Sequence, residues 1–245
     1  MKSILTLTVL IALGFCMGCS SESDADKIVD AQECLDQYAR QGGGNLSLCE
    51  QKVSGLTSPA AYGIRCSVGY IRDNKGTADF FINAFTSIET VNASNVETFL
   101  DLLAFKSAGS GNSTTVDANY NNVSSTYSNC ALSQGKGATL IATFSFVINM
   151  LYKHSCDNLA SAPAGSCAMS SASIATALAA TVSNTWTSAS LKTSIGTLVI
   201  NTHEISCTSG SANDTLCSFL SRAIDGGGGT AAGIGNAFLL VLATP

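Results

Sequence analysis

Residues 138–152 read ATLIATFSFVINMLY, an apolar run in which Ser145 and Asn149 are interruptions rather than a polar face. A helix that is apolar on nearly every side must be covered on every side, so the run predicts a buried central helix. At fifteen residues it is shorter than the roughly 20 that a bilayer-crossing helix needs. Because Phe144, Phe146, Ile148 and Met150 also alternate, a buried strand is the competing reading, and the flanking sequence has to decide.

Toward the C-terminus, Ile174, Leu178 and Val182 recur at helical spacing, as do Leu191, Ile195, Leu198, Thr202 and Ile205. Leu216, Phe219, Leu220 and Ile224 continue the pattern up to Gly226–Gly229, and residues 234–242 form a last apolar helix. Toward the N-terminus, Val116, Tyr120, Val123 and Tyr127 give the otherwise polar stretch 116–133 one packing face. Residues 107–115, rich in Ser, Gly, Asn and Thr, predict a surface loop and a seam between two halves. Ser94 with Glu97 is a capping box for a helix carrying Val96, Phe99, Leu100 and Leu103. Before it, Phe80, Phe81, Ala84, Phe85 and Ile88 form a stripe. Ser58-Pro59 is an N-cap followed by proline in the first turn, opening a helix to Arg72 that Asp73–Gly76 ends. Leu48, Val53 and Leu56 predict a short helix, and Ile28, Ala31, Leu35 and Tyr38 one from about Asp24 to Arg40. About ten helical segments and no clean period-two strands make the fold all-α, an irregular helical array or α-solenoid-like hairpins.

With 46% hydrophobic residues and a formal charge of -5 over 245 positions, the chain has the composition of a folded protein of one domain or two small ones. Twelve Lys and Arg against 17 Asp and Glu provide no basic stripe, which argues against nucleic acid as a partner. The acidic residues gather at 22–36 as a solvated helix face.

Residues 1–18 have the form of an export signal: Lys2, an apolar run from Ile4 to Phe15, then the small Gly18 before Cys19. The stretch Cys16-Met17-Gly18-Cys19-Ser20-Ser21 resembles the signal of bacterial lipoproteins, although Cys16 stands where that family usually has an aliphatic residue. The resemblance implies lipidation of Cys19 as the mature N-terminus. Ser20 behind it implies an outer-membrane address in the cell envelope. Residues 19–27 then serve as anchor and tether, and residues 28–245 as the helical domain.

Beyond Cys19 stand Cys34, Cys49, Cys66, Cys130, Cys156, Cys167, Cys207 and Cys217, an even set that predicts four disulfides in an oxidising compartment. Eight cysteines allow 105 pairings. Cys156 with Cys167 and Cys207 with Cys217 flank short turns, and Cys34 with Cys49 flanks Gly42–Gly44 between two helices; Cys66 with Cys130 follows by elimination. Among these eight no CxxC occurs, the chain has no HExxH, and His154 and His203 lack ligand-spaced partners, so no metal or other cofactor is expected.

Tyr38 and Pro59 stand 21 residues apart, with Ala31 and Gly69 at small positions, so residues 24–72 resemble a tetratricopeptide repeat and the start of a second. Ser47, Gln51 and Ser54 depart from that pattern. The resemblance implies a concave peptide-binding surface without catalysis.

Catalytic motifs are sparse. Ser133–Lys136 fits SxxK, Tyr127–Asn129 fits YxN and Lys192–Ser194 approaches KTG, a set similar to that of penicillin-recognising enzymes but in the wrong order and without the closing glycine. The glycines at 226–229, 233 and 235 lack the strand and lysine of a phosphate loop. The sequence as a whole points to a lipid-anchored envelope protein, a binding or scaffold module rather than an enzyme, with the membrane and a protein or peptide as partners. The alternatives are a periplasmic or surface hydrolase and a membrane-inserting protein.

Overall fold

The computed structural model describes residues 23–41, 45–90, 96–109, 111–158, 167, 169–183, 188–207 and 214–243. The export signal, Cys19, the Ser94 capping position and the turns inside the Cys156–Cys167 and Cys207–Cys217 loops lie outside them. Eleven α-helices and no strands are present among the described residues. The chain divides into two compact units between Leu56 and Thr57.

The first unit holds α1 (Asp24–Gln41) and α2 (Leu46–Lys52). The Ser23 hydroxyl accepts from Asp26 N (3.2 Å) while the Asp26 carboxylate accepts from Ser23 N (3.1 Å), a reciprocal cap that starts α1. The Ser23 hydroxyl, which donates to the Asp26 carboxylate at 2.7 Å, and the Ser23 N–H hold that carboxyl below its usual range. The tether assigned to residues 19–27 therefore gives up Asp24–Lys27 to the helix. The helix expected to carry Val53 and Leu56 stops at Lys52, because Gly55 takes φ +78° in the turn behind it. Cys34 and Cys49 are joined, and Ala31, Leu35 and Val53 are buried beside them.

The second unit is built on α7 (Lys136–Asn158), in which every residue from Thr139 to Tyr152 is buried. Its 23 residues settle the helix-or-strand question, since a buried strand of that length would be far beyond the usual 3–10 residues. Around it stand α3 (Pro59–Arg72), α4 (Ala78–Thr90), α5 (Val96–Leu103), α6 (Ser113–Leu132), α8 (Ser171–Val182), α9 (Ala189–Cys207), α10 (Asp214–Gly226) and α11 (Ala231–Ala243). Helices α4, α5, α6, α8 and α9 all touch α7, and α3 packs on α6. Because helices distant in sequence meet around one axis, the unit is an irregular array rather than a stack of neighbours. The stretch 107–115 falls inside this unit, and its last residues open α6, where Asn112 and Thr115 cap reciprocally.

Three local devices set the packing. Ser58 caps α3 with Pro59 in the first turn, as its sequence predicts. On α3, Gly69 faces Thr126 so closely that a Cβ would come within 2.8 Å of the Thr126 methyl. That approach lets Cys66 and Cys130 join across α3 and α6. Between α9 and α11, Gly196 and Gly235 meet backbone to backbone. Gly235 is thus part of a helix crossing and Gly233 lies against Gly227, while Gly228 and Gly229, at φ +60° and +76°, make the turn before α11.

Polar residues inside the unit are mostly committed to neighbours. Asn119 accepts from Ala108 N (2.9 Å) and donates to Gly109 O (2.7 Å), tying the 107–111 loop to the buried side of α6. The Thr143 and Thr202 hydroxyls share a 2.6 Å hydrogen bond between α7 and α9. Asp73, behind α3, accepts from the N–H groups of Lys106 (2.8 Å) and Ser107 (2.6 Å), and Lys75 lies 2.6 Å from its other oxygen. The Lys75 ammonium also stands over the rings of Phe80 and Phe105.

Candidate functional site

Helix α7 continues six residues past the apolar run that the sequence marks out, and those residues change its character. Met150, Lys153, His154 and Asp157 follow at three- and four-residue steps and share one face. With Tyr120 of α6 and Ser190, Leu191 and Ser194 of α9 they line a groove of about 180 Å³. Its floor is apolar and its rim is polar.

Lys153 is the hub of the rim. Its ammonium lies 2.5 Å from an Asp117 oxygen on α6 and 3.5 Å from Asp157 one turn along α7. The hydrogen bond that Lys153 donates to Asp117 is the main reason that Lys153 titrates above the usual lysine range. His154 goes the other way: burial lowers its pKa against the opposing pull of Asp157, so the imidazole is neutral at neutral pH. Its Nδ1 lies 3.2 Å from the Asn158 amide, which also donates to the His154 carbonyl (2.8 Å). The groove lining therefore carries one ammonium and one carboxylate, with Asp117 of α6 paired to that ammonium from outside the lining.

The motif residues scatter. Ser133 donates to the Cys130 carbonyl (2.6 Å) as it closes α6, and Tyr127 is packed against Phe146 and raised in pKa by burial. Ser194 lines the groove, whereas Lys192, two positions earlier on the same helix, is buried on another face. His203 pairs with the Ser221 hydroxyl at 3.0 Å, bridging α9 and α10. The four cysteine pairs are Cys34–Cys49, Cys66–Cys130, Cys156–Cys167 and Cys207–Cys217, all as disulfides. Among the described residues no cluster of His, Cys, Asp and Glu is arranged to hold a metal ion.

The apolar run ends at Tyr152, so its pattern does not reach Lys153 and Asp157. The polar i, i+3, i+4, i+7 stripe at the end of an otherwise apolar helix is the signal that marks them. Comparison with family models, with curated proteins and with solved structures finds no match to this chain, so a functional reading has to rest on the groove and on the N-terminal sequence.

Proposed function

We propose that this chain is a lipid-anchored envelope protein that acts as a binding module, presenting the groove between α6, α7 and α9 to a protein or peptide partner. The observation that carries the reading is the contrast between interior and groove: the apolar run of α7 and the Ile234, Phe238, Leu239 and Leu242 side chains of α11 are buried against other helices, and Tyr120, Met150 and Leu191 line a concave surface. The apolar stretches 138–152 and 231–243, on which a membrane-inserting role would rest, are packed into the interior apart from partly exposed positions such as Leu240, and no described helix is long and apolar enough to cross a membrane. In the groove the His154 Nδ1 faces Asn158 rather than a serine hydroxyl. Four residues separate Cys19 from the start of α1, so a lipid on Cys19 would hold Asp24 within about 18 Å of the bilayer.

Two measurements test the reading. Cells expressing Cys19→Ala should lose all labelling of the protein by radioactive palmitate, and persistent label would remove the anchor. A photoreactive benzoyl side chain placed at Leu191 should give a covalent adduct with another polypeptide in intact cells. Adduct formation only with lipid, or none at any groove position, would overturn the binding role.

A further inference from the structure

We infer that a short file of ordered water molecules lies inside the second unit, between α7 and α8 and beside α5, hydrogen-bonded to Ser145, Asn149, Tyr152 and Thr181. Ser145 and Thr181 are 0% exposed, and Asn149 and Tyr152 are 1% exposed. Yet the Ser145 Oγ, Asn149 Oδ1, Tyr152 Oη and Thr181 Oγ1 atoms have no hydrogen-bond partner among the described residues. Other buried polar side chains of the unit, Asn119, Thr126, Thr139, Thr143 and Thr202, are all paired. A buried polar group without a partner forfeits the hydrogen bonds that water gave it in the unfolded chain, so such groups are rare singly and rarer together.

Their placement brings them to one seam. Ser145, Asn149 and Tyr152 stand at i, i+4 and i+7 of α7 and so share a face. Met150, Lys153 and Asp157 of the groove lie about a third of a turn round the helix from it. The Cys156–Cys167 bond, with Cα atoms 5.5 Å apart, brings the chain ahead of α8 to the end of α7, and α8 packs on α7. Helix α8 therefore runs back along α7. Thr181 is ten residues past the start of α8 and Ser145 eleven before Cys156, which sets both about 15–17 Å from that end. Helix α5 packs on both α7 and α8. Burial first, and the Asp101 charge of α5 second, raise the Tyr152 phenol above its usual range, so it stays a neutral donor.

The chemistry of the four groups selects water. Three are hydroxyls that donate or accept, and the Asn149 oxygen only accepts, its amide nitrogen being given to the Ser145 carbonyl (2.9 Å). Such a set needs an occupant that both donates and accepts, as a buried water does with about three hydrogen bonds. None of the four is charged, so a cation would enter without compensation; the Asp101 carboxylate is half exposed and already paired with Lys106. From Ser145 to Tyr152 the helix rises about 10 Å, more than one water bridges.

Solvent ¹⁷O relaxation dispersion tests this on the full mature protein, oxidised and in detergent, with the detergent alone as blank. Because oxygen does not exchange with protein hydroxyls, the signal reports held water only. The parent should show a dispersion step, and Asn149→Leu, which keeps the side chain's size and removes its amide, should show a smaller one. An unchanged step would overturn the inference. Thr181→Val and Tyr152→Phe each delete one hydroxyl at nearly constant shape, and carry the test if Asn149→Leu does not fold. Both should lower the urea midpoint, since each leaves a water short of a partner. A rise in either would show that its hydroxyl lies dry, and would overturn the inference as well. A midpoint that climbs when potassium replaces choline at constant ionic strength would assign the seam to a monovalent cation instead.

Discussion

Gly196→Ala should cost the folded protein about 3 kcal/mol, a large fraction of the stability of a domain this size. Two effects of opposite sign compete. Alanine is the better helix former by about 1 kcal/mol in the interior of α9. Against this, the new Cβ would stand 2.6 Å from the Ala231 carbonyl carbon and 2.9 Å from the Gly235 nitrogen. Those are backbone atoms of α11 and cannot rotate aside, so the two helices must part. Parting them loosens Ile195, Val199, Phe238 and Leu239, all of which are buried. The steric term wins. Gly63→Ala provides the opposite sign: in α3 the nearest atom to its Cβ would be that of Ser133 at 3.9 Å, so only the helix-forming gain remains. Urea denaturation of the oxidised protein should show the first midpoint fall and the second rise. Equal midpoints for Gly196→Ala and the parent would mean that the crossing is not as tight as described.

Asp73→Ala should cost a similar amount, about 3 kcal/mol, for an electrostatic reason. The Asp73 carboxylate is 5% exposed and serves three donors: the Lys106 and Ser107 N–H groups and the Lys75 ammonium. Alanine leaves all three without it. Removal of one member of a buried pair strands the other charge, at a cost of about 3–5 kcal/mol. Lys75 keeps some relief from the rings of Phe80 and Phe105, which places the expected value at the low end. Asp73→Asn retains an oxygen for the two N–H groups but not the charge, and so should fall between Ala and the parent. If Asn and Ala are equally damaging, the ion pair rather than the backbone clamp dominates.

Much of the helical plan can be read from single residues. Ser58-Pro59 marks the start of α3, since a β-region cap and a fixed φ are local requirements. The identity of α7 as a helix is less local: its own residues permit both periods, and only its extension through Asn158 excludes a strand. Helix α6 shows where pattern reading weakens. Its Asn119 and Thr126 are as buried as Val123, because a loop amide and the Asn122 carbonyl satisfy them, and no periodicity announces partners distant in sequence.

The glycines divide by the same rule. Gly226–Gly229 reads as a turn, but Gly196 and Gly235 matter only because they face each other. The groove stayed hidden because three helices contribute to it: Lys153 and Asp157 look like an ordinary solvated helix end until Asp117 and Tyr120 are set beside them. Cys66 and Cys130 could be paired only by elimination, since the close approach that permits the bond depends on Gly69 fitting against Thr126.

The order of the disulfides has a consequence for how the chain is made. Cys34 joins Cys49, Cys66 joins Cys130, Cys156 joins Cys167 and Cys207 joins Cys217, so these eight cysteines pair two by two in chain order. A chain that enters an oxidising space N-terminus first then never holds more than one unpaired thiol of this set while its proper partner is still to come. The next thiol to arrive is always the right one. In a chain oxidised as it enters, that order would favour the native set over mispaired ones.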